Sequence, residues 1–118
     1  MSEPRAEFVE LRGNRVLRVI PRVEVIRLHA ADKYVTVYSG GQQVLIADSL
    51  AQLQREGMDG FFRCHRAHLV RLDLITHVDR DPNRDCWLHL QGCPERLPVS
   101  RRYWRSLLQL RPELSRRA

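Results

Sequence analysis

The spacing of hydrophobic and polar positions changes several times along the chain, and each change predicts an element. Residues 15–20 and 23–28 are rich in β-branched side chains, and Pro21 falls between them where a strand is expected to end. Ala30-Ala31-Asp32-Lys33 then reads as a turn. Tyr34–Tyr38 gives the clearest strand signal, aromatic or β-branched at every position. Gly40-Gly41, a dipeptide tolerant of positive φ, predicts a hairpin with Gln43–Ile46 as the returning strand.

The period then lengthens. Ser49 and Gln52 have the spacing of a capping box, Leu50 and Leu53 mark one face of a short helix, and Gly57 is a natural stop. In residues 61–72, apolar pairs flank a centre of Arg63, His65, Arg66 and His68, which predicts a strand, an exposed loop and a second extended stretch through Ile75. Residues 76–80 and Cys86–Leu90 read as strands separated by the turn Asp81-Pro82-Asn83, with Gln91-Gly92 turning again. Leu97-Pro98-Val99 leads to Ser100, an expected helix N-cap. Beyond it Tyr103, Trp104, Leu107, Leu108 and Leu110 recur at helical spacing until Arg111-Pro112. Arg116-Arg117 reads as a frayed end.

Seven or eight short strands with two short helices, punctuated by turn signals, predict a mainly β fold built of meanders. At 118 residues the chain is one domain's worth, without internal repeat or linker. The expected organisation is an N-terminal extension at 1–14, a folded domain at 15–111 and a C-terminal tail at 112–118. No apolar run is long enough to span a membrane and MSEPRAEF lacks an apolar signal core, so a soluble, cytoplasmic protein is expected. Three sparsely spaced cysteines argue against a disulfide scaffold.

Charge sharpens this reading. Residues 1–59 carry eight basic and eight acidic side chains, whereas residues 60–118 carry twelve and six, so the whole net charge of +6 lies in the second half. Nineteen of the twenty cations are arginine, with Lys33 the single lysine. Arginine's planar fork suits phosphates and guanine edges, and an anionic partner is favoured over a merely solvated surface.

Three kinds of chemistry compete for these residues. Cys86-x-x-His89 with Cys93, or Cys64-His65 with His68, contains metal-ligand types. On an alternating strand, however, positions i and i+3 face opposite ways, and no second matched pair exists, so neither metal nor cofactor is expected. An enzyme is equally disfavoured. There is no nucleophile elbow, no phosphate loop and no pair of carboxylates in an apolar frame. Nucleic-acid binding fits best: Lys33-Tyr34 at a turn, Arg63 to Arg71 in a loop, and Arg101-Arg102 at a helix start all stand where the strand pattern lapses. A module binding structured RNA or an acidic protein is the alternative, although aromatic residues are only 7% and form no stacking row.

The order of these motifs resembles the LytTR-type DNA-binding domains of bacterial response regulators. Residues 25–37 (VIRLHAADKYVTV) are similar to the family's first block, Ser49-Leu50-Ala51-Gln52-Leu53 to its short helix, residues 62–70 (FRCHRAHLV) to its most specific block, and residues 97–103 (LPVSRRY) to its closing block. The resemblance implies an elongated arrangement of small antiparallel β-sheets with one or two short helices, acting as the output domain of a two-component transcription regulator. Its loops enter successive major grooves of double-stranded DNA. Base-reading roles then fall on Tyr34 (or Lys33), Arg66 and Arg101, while Lys33, Arg63, His65, His68 and Arg102 hold phosphates or brace the loops. Paired repeats, one domain on each, and a homodimer on DNA are the implied arrangement. Ala67 and Arg71 depart from the Ser and Asn of many members, so base preference does not transfer. The receiver domain usual in such regulators has no place in this sequence, which leaves an excised output domain or a stand-alone regulator. Cys64, flanked by Arg63 and His65, is a candidate redox thiol, with a buried inert thiol the favoured reading.

Overall fold

A computed structural model describes residues 3–117, with side chains through residue 115. It is mainly β, with ten strands and two α-helices among the described residues. The chain divides into two compact units, Met1–Asp59 and Gly60–Ala118. The division coincides with the charge asymmetry: the first unit is neutral and the second carries the full surplus.

In the first unit, β1 (Glu7–Arg12) and β2 (Arg15–Pro21) form an antiparallel hairpin. The two-residue loop Gly13-Asn14 joins them, and Gly13 takes the positive φ (62°) such a tight connection requires. β1 lies within the segment read from sequence as an extension. Its signal is weak because only Phe8 is buried while charged residues flank it. β3 (Arg27–Ala31), β4 (Tyr34–Tyr38) and β5 (Gln43–Ile46) form an antiparallel meander.

The strand expected at 23–28 is corrected. Arg22–Glu24 is a 3-10 turn closed by Val25 N–H to Arg22 O (3.1 Å), and pairing begins only at Arg27. Val23 is 84% exposed, so its β-branched side chain finds nothing to pack against, and local propensity loses to burial of Val25 and Leu28. The following turn contracts to Asp32-Lys33, because Ala30 and Ala31 pair with Val35 and Tyr34. Gly40-Gly41 makes no use of positive φ. Instead the Ser39 hydroxyl accepts from Gln42 N–H (3.1 Å), and Ser39 N–H donates to Gln42 O.

Helix α1 (Leu50–Glu56) starts as expected, with Ser49 Oγ accepting from Gln52 N–H at 3.0 Å, and ends at Gly57 with φ 122°. It buries Leu50 and Leu53. The Arg5 guanidinium pins the segment around α1 by bonding both Asp48 (3.1 Å) and Glu56 (2.7 Å).

The second unit contains the hairpin β6 (Phe61–His65) and β7 (His68–Arg71) and an antiparallel sheet in the order β10 (Leu97–Val99), β9 (Cys86–Leu90), β8 (Ile75–Arg80). Pro98 sits on the edge strand β10, the place in a sheet where a missing N–H costs no ladder bond. α2 (Arg101–Leu110) follows directly. One core joins these parts, including Cys64, Val70, Val78, Leu88, Val99 and Leu107. Pro112–Arg117 continues as a 3-10 helix with Leu114 buried in that same core. The tail read from sequence therefore contributes a packed residue, while the side chains of Arg116 and Arg117 lie outside the described residues. Arg111 fixes this end by donating to the carbonyls of Leu72 (2.6 Å) and Ile75 (3.1 Å) and pairing with Glu113.

Candidate nucleic-acid interface

The β6–β7 connection is held by several side-chain hydrogen bonds. His65 pairs with His68, which leaves Arg66-Ala67 as a two-residue turn. Arg63 holds it from below: its guanidinium donates through Nε to His65 O (3.1 Å) and through Nη2 to Arg66 O (2.6 Å). His65 holds it from the side, its Nδ1 accepting from Ala67 N–H at 3.1 Å. A neutral His65 therefore carries its proton on Nε2 and presents a donor. His68 is only 8% exposed, with its ring 5.5 Å from that of His65. Arg66 alone projects from the tip, exposed. Arg71 lies over the Phe61 ring at 4.4 Å, so the charge that departs from the family pattern is partly spent on its cross-strand neighbour.

The start of α2 is fastened to this hairpin by Ser100 N–H donating to Cys64 O (2.9 Å). Ser100 occupies the N-cap position, but its hydroxyl does not cap the helix. Ser100 Oγ is buried without a hydrogen-bond partner. The first turn contains Arg101 and Arg102 and no acidic residue. Both arginines are exposed, and Arg102 lies 5.4 Å from the Tyr103 ring.

His65, Arg84, Pro98, Ser100 and Arg101 line a groove of about 260 Å³. A neighbouring depression of about 320 Å³ is lined by Arg80, Arg84, Cys86, Arg101 and Trp104, with the Arg80 guanidinium 5.4 Å from the Trp104 ring. Of the residues singled out in the sequence, His65 and Arg101 thus share one groove. Arg66 stands on the turn next to His65 rather than in the groove wall.

Arg80 and Arg84 were missed by sequence reasoning. The signal was a turn flanked by arginines, but only the fold brings that turn beside the start of α2. Asp81 builds the turn: one carboxylate oxygen accepts from Asn83 N–H (2.9 Å) and Asp85 N–H (3.0 Å), the other from Trp87 Nε1–H (3.2 Å). Desolvation works to raise its pKa, yet these bonds and the Arg96 charge prevail and hold it below 3.8. Arg84 sits in this turn at φ 68°, a left-handed conformation uncommon for a side-chain-bearing residue.

Cys64 is fully buried. Burial raises its thiol to about 12 against the smaller opposing effects of a backbone hydrogen bond and Arg63. A protonated, enclosed thiol packs as a small apolar group. Cys86 faces the core from β9 while His89 lies on the other face, as strand alternation requires.

In the first unit, Lys33 and Tyr34 stand at the two-residue β3–β4 turn, where Asp32 takes φ 56°. Tyr34 is 50% exposed although it begins a strand, because its position in the register faces away from Val35 and Val37.

Comparison with known proteins gives a consistent picture. The family profile of the LytTr DNA-binding domain matches residues 15–111. The chain is 33% identical over 114 residues to the positive alginate biosynthesis regulatory protein of Pseudomonas aeruginosa, covering 96% of this chain and 46% of that protein. It thus spans about half the length of the curated relative it matches. Among solved structures, a LytTr DNA-binding domain from Bacillus cereus superposes with a TM-score of 0.73 at 24% identity, covering 90% of this chain and 96% of that one. At that identity the likeness speaks for the fold.

Proposed function

This chain belongs to the LytTr DNA-binding domain family, and from that premise we propose that it reads double-stranded DNA sequence-specifically, as the output domain of a bacterial transcription regulator acting in the cytoplasm. The observation that carries the reading is the first turn of α2. Two arginines at a helix N-terminus oppose the helix dipole, each at a cost of about 0.3–1 kcal/mol, and here neither an acidic neighbour nor the Ser100 hydroxyl relieves them. An approaching phosphate relieves both the dipole and the charge. Local choices that conflict with stability belong at functional sites.

Arg66 and Arg101 are the base readers in this proposal: both are exposed guanidinium groups on stiff supports. Tyr34 takes the corresponding role in the first unit, with Lys33 beside it for phosphate. Arg63, His65 and His68 brace the reading turn, consistent with their bonds and burial. Arg102 contacts phosphate, and Arg80 and Arg84 add charge along the groove walls. The operator consists of paired repeats with one domain on each, and two copies meet as a homodimer on the DNA. No catalysis is involved, so incubation with Mg²⁺ leaves bound nucleic acid intact.

Selection from random duplexes, followed by competition between the enriched duplex and RNA of the same sequence, tests the proposal. Enrichment of one motif in duplex DNA, repeated at fixed spacing, is the expected result. Enrichment of no motif, or preference for the RNA, would overturn it.

A further inference from the structure

The outer face of the β8–β9 pair carries a cluster that the DNA-binding reading leaves unused. His77 pairs directly with His89 across the strands, and Asp79 follows His77 by two positions, so all three share the face opposite Val78 and Leu88. The imidazoles stack at 3.9 Å with an angle of 11° between planes, and His89 Nε2 lies 2.7 Å from Asp79 Oδ2. One nitrogen or oxygen from each of the three residues lies within 4.8 Å of those of the others.

We propose that His77, Asp79 and His89 form a binding site for a borderline divalent transition-metal ion, with Zn²⁺ the best-suited chemistry. Two imidazoles and a carboxylate are a donor set that such an ion takes, leaving a fourth position for water. Metal–ligand distances of about 2.0–2.2 Å place ligand atoms of a tetrahedral site roughly 3.3–3.6 Å apart, so the set comes together when the two rings turn out of their stack and aim their lone pairs at one point.

The surroundings already orient the donors. A β-bulge between Ile75 and His77 sets Thr76 on the outer side next to His77. Its hydroxyl donates to His89 O (3.2 Å) and lies 3.0 Å from His77 Nδ1. Having spent its one hydrogen, Thr76 Oγ accepts from His77 Nδ1–H, which leaves the lone pair of His77 on Nε2. Metal-bound histidines ordinarily donate their other ring N–H to a fixed acceptor, and Thr76 Oγ serves as that acceptor here. The Arg96 guanidinium, over the Trp87 ring at 4.0 Å, stands on the Oδ1 side of Asp79 at 3.8 Å, while Oδ2 faces His89. Binding through His89 takes the neutral tautomer with its proton on Nδ1 and its lone pair on Nε2, so the ion replaces the hydrogen bond between His89 Nε2 and Asp79 Oδ2.

Calorimetric titration of the reduced protein with Zn²⁺, joined to the absorption spectrum of the Co²⁺-substituted form, tests this. One ion per chain, a raised Tm, and a Co²⁺ spectrum without thiolate charge transfer are expected. H77Q and H89Q, on the surface of the sheet, should keep the metal-free Tm and weaken binding at least tenfold. T76V should weaken it by about ten- to a hundredfold while keeping one ion per chain. H29Q, altered in the other unit, should bind as the parent does. Absence of binding, undiminished affinity in H77Q and H89Q, or a thiolate band would each overturn the proposal.

Discussion

Arg101 and Arg102 are neighbours with different expected work, and single substitutions separate them. Arg101→Ala should cost about 1–3 kcal/mol on the preferred duplex and much less on a shuffled one, measured by fluorescence anisotropy. Equal losses would reduce Arg101 to a phosphate contact. Arg102→Ala should weaken all duplexes alike and lower the slope of log K against log salt by about one, and an unchanged slope would remove it from the interface. Cys64 makes a third residue-scale test. With its thiol raised to about 12 and its side chain buried, alkylation of the native protein at pH 8 should modify the partly exposed Cys93 and spare Cys64 until denaturant is added. Peptide mapping that found Cys64 labelled first would contradict the burial. The positions that were legible in the sequence are those set by local chemistry, such as Arg66 in a turn and Ser49 at a cap. Arg84 and the His77–Asp79–His89 cluster were not legible, because register and hairpin closure assemble them from separated segments.

Among the elements, the β8–β9 turn and the C-terminal 3-10 helix carry the sharpest expectations. The folded-state pKa of Asp81 is depressed, so its contribution to stability is complete above 3.8 and disappears as pH falls through the lower folded value. Asp81→Asn should therefore narrow the stability difference from the parent as pH drops below about 4, read by thermal unfolding across pH. A difference that stays constant across that range would deny the carboxylate its role in the turn. Leu114, 2% exposed in the core of the second unit, should cost about 2–5 kcal/mol as Leu114→Ala in urea unfolding. A loss near zero would return residues 112–118 to the status of a tail. The strong strands and both helices were readable from their period, with the Ser49 cap agreeing at α1 and spacing alone marking α2, where the Ser100 hydroxyl makes no cap. β1 escaped notice because a strand with one buried residue hardly alternates, and residues 23–28 misled because β-branched composition persists where burial does not.

For the molecule as a whole, a neutral first unit and a +6 second unit should contribute unequally to binding. The general affinity for phosphate should come mainly from the second unit and fall steeply with salt, as counterion release requires. The fold class and family were legible because four separated blocks recur in order, a pattern that local propensity cannot produce by accident. The base preference was not legible, since the chain departs from the family pattern at Ala67 in the β6–β7 turn and at Arg71 at the far end of that hairpin. The central claim is that arginines held on stiff turns discriminate one duplex from another. It is tested most directly by measuring the affinity of the folded parent protein, at about 0.15 M salt, for its selected duplex and for a shuffled duplex of the same composition. The account predicts a ratio of at least about 10³ in favour of the selected sequence; equal affinities for the two would contradict it.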